Sequence, residues 1–465
     1  MIESDWSDIA AAVDNEVDSG LSDLLGAIAI PSVVAGGPEG IAASADYLKS
    51  LLSNEGWQAE IIPIGESRAV LAETGRADGR CLLLYGHHDV QVPEPLDAWQ
   101  TPPFAPEIRD GRIWGRGAAD NKGQFFCHIF AVRVLRRLLG EVPLRLKLLL
   151  DGEEEVGNPG LEDMVARLEP RLRGAEFVFT MDGPEHPDGT PRIVFGFRGG
   201  FTLRLTLRLM DEDQHSGHWG NLAPDAALRL SRLLSGLVAP DGRVTAPGFY
   251  DGIVPPGPAE AIEMERIPFD PVAMAAALGA DALAGPQDAS PLERMMYLPS
   301  LSVTGIASGY VGTGSQHRNS ICAEARAQID VRSVAGQDNE TMVAGITAYL
   351  TAIEPRLKIE LLARKYASST PIDTPVAQTV IGAFERGFGK RPILLPRSGG
   401  SAPDVLFTRA LGIPSLWSHI ANADMRAHAP NENMRIDRIK AGSRTVAALL
   451  LDMAGLLAPA QRGVA

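Results

Sequence analysis

Cysteine is scarce in this chain, with only Cys81, Cys127 and Cys322 among 465 residues. An odd, sparse set in apolar surroundings argues against a disulfide framework; it reads as reduced core residues and points to a cytoplasmic protein. Positive charge is also in short supply. Lys and Arg number 43 against 58 Asp and Glu, a formal charge of -15, and the basic residues gather into no stripe, which excludes recognition of a nucleic-acid backbone. No apolar run is long enough for a bilayer. The longest, residues 445–460, is interrupted by Asp452 and Gly455; it reads as a packed terminal helix, and no membrane partner is expected. The opening MIESDWSDIA has neither the basic start nor the apolar core of an export signal, so export is not expected. Internal repeats and low-complexity tracts are absent as well.

What is there is the patterning of a folded α/β chain. A length of 465 residues exceeds the size at which one core stops growing, so two domains are expected. Apolar residues recur at helical spacing over residues 7–30 and again over 43–52. Residues 81–85, 144–150 and 177–181 have the length and apolarity of buried strands, and a periodic helix over 122–139 separates the first two. Strand, helix, strand predicts parallel pairing in an α/β sheet. The pattern then changes. Over residues 201–209 and 323–332 apolar and polar side chains alternate, as in an antiparallel sheet with one wet face, and 224–237 reads as a helix between them. Residues 239–299, rich in Pro and Gly, read as an irregular insertion. Helix and strand alternate again after Pro371, with a strand over 415–420. The prediction is a discontinuous α/β domain, residues 1–196 and 372–465, with a mixed, largely parallel sheet flanked by helices, and an inserted α+β domain over 197–371.

Three of the apolar strands run into residues that bind metals: Gly86-His87-His88-Asp89, Asp151-Gly152-Glu153-Glu154-Glu155, and Asp182. Ligands of open α/β sheets sit beyond the carboxyl ends of the strands. Taken singly each piece is ordinary. Asp120 before the 122–139 helix reads as an N-cap, Asp182 before Gly183 as a turn residue, the three glutamates as a solvated acidic turn, and His428 as a loop histidine. Together, nitrogen and carboxylate donors from five separate segments suit zinc or a similar divalent ion. Two histidines and three carboxylates are too many for one catalytic zinc with three protein ligands, but suit two ions sharing a carboxylate. Adjacent carboxylates at a strand end point in different directions, so one of Glu154 and Glu155 can hold metal while the other serves as base. Glu153 is expected to face solvent.

Tyr85-Gly86-His87-His88-Asp89-Val90-Gln91, Gly115-Arg116-Gly117-Ala118-Ala119-Asp120-Asn121-Lys122-Gly123, Asp151-Gly152-Glu153-Glu154-Glu155-Val156-Gly157 and Gly399-Gly400-Ser401 resemble the successive motifs of the co-catalytic dinuclear-zinc metallopeptidases. That family includes carnosinase-like cytosolic dipeptidases, bacterial glutamate carboxypeptidase, aminoacylase and succinyl-diaminopimelate desuccinylase. The resemblance spans nearly the whole chain in the correct order. It implies a zinc-peptidase-like catalytic domain whose insertion serves as lid and dimerisation domain. It further implies that His87 and Asp182 bind one ion, that Glu155 and His428 bind the other, and that Asp120 bridges them. Glu154 would be the general base and Asp89 would orient the His87 ring, while His88 falls at a variable position and is no ligand. From the inserted domain, His215 matches a histidine that crosses a dimer interface to stabilise the oxyanion; a His215/His218 metal pair ranks last for want of nearby carboxylates. Asn319 matches a carbonyl-binding asparagine, Arg332 an arginine that grips a substrate carboxylate, and Gly400 and Ser401 the substrate end. Asn121 departs from the common aspartate after the bridging residue. His128, His186, His317 and His419 are structural or unassigned.

The expected function is therefore that of a dinuclear metal-dependent hydrolase with two ions, zinc foremost and manganese or cobalt as alternatives. It would cleave the amide bond of a dipeptide or similar short substrate with a free carboxylate, by metal-activated water, as a homodimer formed through the inserted domain. An N-acyl-amino-acid deacylase shares every metal residue, and a non-catalytic metal-binding relative is the reading from another class.

Overall fold

The computed structural model describes residues 5–310 and 318–457; His317 lies outside them. The chain divides into two compact units. The first comprises Met1–Phe195, Thr370–Leu395 and Pro403–Ala465, the second Gly196–Ser369 and Pro396–Ala402. Residues 396–402, which the sequence pattern groups with the returning α/β segment, thus belong to the second unit, and Gly400 and Ser401 go with them. The cause is local: Ser398 forms a parallel bridge with Phe197, and the Arg198 N–H donates to the Gly400 carbonyl at 3.0 Å.

The first unit is built on an eight-stranded sheet. Its order is Gln58–Ile64, Ser67–Gly75, Arg145–Asp151, Cys81–His87, Val178–Met181, Ser415–His419, Arg192–Val194, Ile393–Leu395. The four central strands pair in parallel, and antiparallel pairs flank them. Cys81–His87 is buried along its whole length, which is why it reads as a continuous apolar run without alternation. Helices Trp6–Ile28, Lys122–Leu139 and Ile436–Met453 pack against one another, and Pro375–Phe388 packs on the last of them. The 122–139 helix is buried nearly all round, from Phe125 to Leu135. The terminal helix expected over residues 445–460 runs instead from Ile436 to Met453.

The second unit is a four-stranded antiparallel sheet ordered Ser300–Ser308, Glu324–Ser333, Gly199–Arg208, Leu357–Lys365. Along Gly199–Arg208, Phe201, Leu203, Leu205 and Leu207 point into a core completed by Leu230, Leu233 and Leu237 of the Ala226–Leu237 helix and by Ile346 and Leu350 of the Asn339–Ile353 helix. Each such side chain contributes about 1.5–3 kcal/mol by leaving water, whereas Arg204 and Arg208 on the other face stay exposed. The stretch 239–299 is not wholly irregular. It holds three short helices, Pro258–Glu265, Pro271–Ala277 and Pro291–Tyr297, each begun by a proline in its first turn. They are too short for an apolar period to emerge; the readable signals were the Asp270 cap and the Ser290/Glu293 capping box.

A candidate metal centre

The side chains that gather in the first unit do so because the central strands stop at one level. Cys81–His87 ends on His87, Arg145–Asp151 leads into the acidic loop, and Asp182 follows Val178–Met181 with its N–H donating to the Ser418 carbonyl at 2.7 Å. Asp120 arrives from the loop before the 122–139 helix. Asn121 knits this loop to the strand ends, donating from Nδ2 to the Met181 carbonyl at 2.7 Å and accepting from the His87 N–H at 3.4 Å. That approach requires Gly86, where a Cβ would lie 2.8 Å from Phe125 and 2.9 Å from Asn121 Oδ1.

Asp120 is the centre of the arrangement. Its Oδ1 lies 3.1 Å from His87 Nε2 and its Oδ2 3.1 Å from His428 Nε2. Asp182 Oδ2 stands 3.8 Å from His87 Nε2, and Glu155 Oε2 3.1 Å from His428 Nε2. Two donor triads result, His87/Asp120/Asp182 and Asp120/Glu155/His428, each with its donor atoms within 4.8 Å of one another. Imidazole nitrogens and carboxylate oxygens in this mixture suit a zinc-like divalent ion. The surroundings of His87 Nδ1 suit one too. An ion at Nε2 leaves the proton on Nδ1, where the Asp89 carbonyl accepts at 3.1 Å and the otherwise unpartnered Asp89 Oδ1 stands at 3.4 Å. Asp89 thus faces the His87 ring chiefly through its carbonyl, while its Oδ2 accepts from the Glu155 N–H at 2.9 Å.

The electrostatics describe a cluster short of positive charge. Burial opposes charging of His87, but hydrogen bonds to Asp120 and Asp89 outweigh it and hold its pKa well above the ordinary value. His428, bonded to Asp120 and Glu155, is pushed up to about 10. Asp120 is buried, which favours the acid, yet its two histidine partners bring it below the ordinary carboxylate value. Burial and then the Asp120 charge raise Asp182 well above that value. Burial likewise pushes Glu154 up to about 7, with Glu155 and Asp120 adding to the effect and His87 opposing it. The histidines and carboxylates thus hold protons where a divalent ion would fit, and binding of one would release them.

Two sequence expectations change here. Glu153 does not face solvent: it is 3% exposed, its Oε1 accepts from the Gly160 N–H, and burial raises its pKa to about 7. An acidic run looks solvated in sequence, but this loop turns back under the Leu161–Leu172 helix and takes Glu153 inside. Nor do Glu154 and Glu155 lie on an extended strand end; the strand stops at Asp151, and Glu154–Val156 is one turn of 3-10 helix. His88 points away from the donors, bonding Ser44 Oγ at 3.2 Å and the Arg68 carbonyl at 2.8 Å. Cys81 and Cys127 are buried, but Cys322 is half-buried.

The remaining sequence-selected residues lie in the second unit. His215 ends a two-residue strand paired with Ser320–Ile321; its ring is exposed, accepts from the Gly217 N–H at 3.1 Å and lies tilted by 42° against His218, centroids 4.6 Å apart. Asn319 is exposed, and its carbonyl accepts from the Ser216 N–H at 2.8 Å. Arg332 donates to Asp330 at 2.9 Å and to Ser401 Oγ at 3.1 Å, and with Arg364, Lys365, Gly400 and Ser401 it lines a cavity of about 420 Å³. Sequence reasoning missed Gln91, whose amide donates to Glu155 Oε2 at 3.1 Å, and Asp151, which accepts from Tyr85 and Asn158 and so steadies the acidic loop. It also missed Glu432 and Arg116. Gln91, Arg116 and Glu432 end no apolar run, and Asp151, which ends one, holds the loop rather than a metal donor position.

Donors of this kind, placed beyond the carboxyl ends of parallel strands, define a metal-dependent hydrolase of the zinc-peptidase type. The chain belongs to peptidase family M20/M25/M40, whose sequence profile matches residues 83–452, and it is accordingly a metallopeptidase acting on amide bonds. It is 27% identical to the Cys-Gly metallodipeptidase dug1 of Schizosaccharomyces pombe, over 96% of this chain and 97% of that one. It is 25% identical to the beta-Ala-His dipeptidase of Homo sapiens, over 90% and 85%. Among solved structures, an M20 metallo-carboxypeptidase from Sulfolobus solfataricus superposes with a TM-score of 0.83 at 31% identity, covering 93% of this chain and 99% of that one. The α/β fold with its large mixed sheet is thus the fold of this family. No helix among the described residues is long and apolar enough to cross a membrane.

Proposed function

We propose that the protein is a dinuclear metal-dependent dipeptidase that hydrolyses the amide bond of a dipeptide or similar short substrate with a free carboxylate. The observation that carries this reading is the shared Asp120, whose two oxygens face His87 on one side and His428 on the other. His87 and Asp182 would hold one ion, Glu155 and His428 the second, and Asp120 both, with zinc the first candidate and manganese or cobalt next. Such ions supply Lewis acidity toward the scissile carbonyl and lower the pKa of water.

Glu154 is the general base in this reading. Its carboxylate takes a proton from water as the new C–O bond forms, then delivers it to the amide nitrogen as the C–N bond breaks, leaving a carboxylate and an amine. Glu154 lies beside Glu155 and Asp120 but belongs to neither donor triad, which leaves its carboxylate free to carry a proton in both halves of that exchange. From the second unit, His215 is proposed to stabilise the oxyanion, Asn319 to meet the carbonyl, and Arg332 with Gly400 and Ser401 to hold the substrate carboxylate. Support for the last is the cationic lining of the Arg332 cavity and the fork of donors that a guanidinium offers a carboxylate. Homodimerisation through this unit is also proposed, on the exposed Val303 and Ile306 of the edge strand Ser300–Ser308.

The relatives named for Cys-Gly and beta-Ala-His support a dipeptide over a longer chain. A deacylase is the second reading, favoured by 33% identity to the succinyl-diaminopimelate desuccinylase of Maricaulis maris over 46% of this chain and 52% of that one. The test is a panel of dipeptides and N-acyl amino acids assayed with zinc, manganese and cobalt against chelated protein. Metal-restored cleavage of dipeptides is expected. Cleavage of acyl amino acids alone replaces the first reading by the second, and no hydrolysis with saturating metal overturns both.

A further inference from the structure

The loops that carry Asp120 and His428 meet at a buried carboxylate. Glu432 is 0% exposed, and its oxygens receive four donors. Oε1 accepts from the backbone N–H groups of Ala119 and Asp120, both at 2.9 Å; Oε2 accepts from the Gly117 N–H at 3.1 Å and from Arg116 Nη1 at 2.7 Å. The main chain repeats the link, since the Gly115 N–H donates to the Glu432 carbonyl at 3.0 Å. Arg116 is itself buried, with its guanidinium 5.4 Å from the Trp99 ring centroid and Nη2 donating to the Val92 carbonyl at 3.2 Å. The loop curls around the carboxylate only because Gly117 takes a φ of +86°, where a Cβ would also lie 2.7 Å from Val90.

The partner segment is equally constrained. Arg426, His428 and Asn431 have φ values of 59°, 58° and 64°, a left-handed backbone that non-glycine residues adopt only when their surroundings over-determine it. The segment is tied down at Asn431, whose Oδ1 accepts from the Gln100 N–H at 2.7 Å and whose Nδ2 donates to the Ala98 carbonyl at 2.9 Å, and at the adjoining Glu432. A carboxylate needed only to neutralise Arg116 would not take three backbone N–H groups of the opposite loop, one of them that of Asp120.

We propose that Glu432 is a positioning residue that makes the two metal positions interdependent, fixing the bridging Asp120 through its backbone and His428 through the chain between them. This inference rests on the dinuclear reading above. The substitution Glu432→Gln keeps the size but leaves one side-chain atom facing N–H groups with an N–H of its own. The probe is cobalt(II), titrated into chelated protein and followed by its visible absorption without substrate, with bound metal counted after gel filtration. Loss of an outer partner of this kind costs about 10- to 100-fold in metal affinity. Both binding steps are expected to weaken together by that factor, with an altered cobalt spectrum, whereas Arg116→Lys, which leaves the three backbone bonds, lowers thermal stability and keeps the wild-type spectrum. Should Glu432→Gln not fold, Glu432→Asp carries the same test, because it retains the charge and draws the oxygens back from the Asp120 amide. Wild-type affinity and spectrum in the folded Glu432 variant overturn the proposal, as does an Arg116→Lys protein that loses metal to the same degree. A wild-type protein that takes up fewer than two cobalt ions overturns the dinuclear reading and this inference with it. Uptake of two ions without hydrolysis across the substrate panel overturns only the dipeptidase reading.

Discussion

Replacing Glu154 with glutamine separates the holding of metal from the moving of protons. Because Glu154 belongs to neither donor triad, the variant is expected to bind metal as the wild type does while kcat falls by about 10²- to 10⁴-fold, the usual worth of a general acid–base; steady-state kinetics beside metal counting reads both. His128 offers a second separation. It is fully buried, neither ring nitrogen has a hydrogen-bond partner, and burial brings its pKa down to about 3. The unfolded chain titrates this group near 6.5 and so binds more protons as pH falls. Its neutral burial is therefore intact above about pH 6.5 and erodes down to about pH 3, at about 1.4 kcal/mol per pH unit. His128→Leu is expected to raise stability by about 1 kcal/mol at neutral pH and to flatten that acid limb, measured by urea unfolding across pH; an unchanged limb would assign the acid sensitivity elsewhere. At this scale the sequence was legible where a donor ended an apolar run, as His87 and Asp182 do. Glu432, Gln91 and Arg116 were illegible because what defines each is a partner distant in the chain, and Glu153 misled because a run of acids says nothing about which of them the fold turns inward.

Elements were readable in proportion to their length. The Lys122–Leu139 helix and the alternating Gly199–Arg208 strand announce themselves by period, whereas Pro258–Glu265, Pro271–Ala277 and Pro291–Tyr297 are too short to repeat a face and are marked only by proline and a cap. The Glu107–Arg109, Arg112–Trp114 and Asn433–Arg435 strands are shorter still and are defined only by pairing with one another. The acidic loop between Arg145–Asp151 and Leu161–Leu172 is held at both ends, by Asp151 to Asn158 and by Glu153 to Gly160. Glu153→Ala removes the second tie and leaves a helix-entry N–H without its acceptor, a loss of about 1 kcal/mol. Since Glu154 and Glu155 ride on the same loop, metal affinity is expected to fall as well. Urea unfolding of chelated protein and a zinc titration read the two effects separately, and unchanged values in both would mean that the tie holds nothing.

For the molecule as a whole, metal is expected to act as a ligand of the folded state. Both triads lie in the first unit, so saturating zinc should stabilise that unit by about 4 kcal/mol at a thousandfold excess over Kd. Chelation should lower its calorimetric transition and zinc should restore it; a transition indifferent to chelator would contradict a metal centre there. The broad division into a discontinuous α/β part and an inserted α+β part followed from the change of period near residue 197. The fate of residues 396–402 did not, because one bridge and a few backbone hydrogen bonds decide it, and a sequence pattern does not register them.

The place of Ser415–His419 in the sheet bears on how the protein is made. This late strand lies between Val178–Met181 and Arg192–Val194, two strands that leave the ribosome more than two hundred residues earlier. Until it is synthesised, Val178–Met181 keeps one unpaired edge and Arg192–Val194 lacks the neighbour through which it joins the rest of the sheet; such edges invite any extended segment nearby. Since His428 follows that strand in sequence, the proposed donor set is complete only once this last stretch has been made, and metal binding is expected to arrive with it.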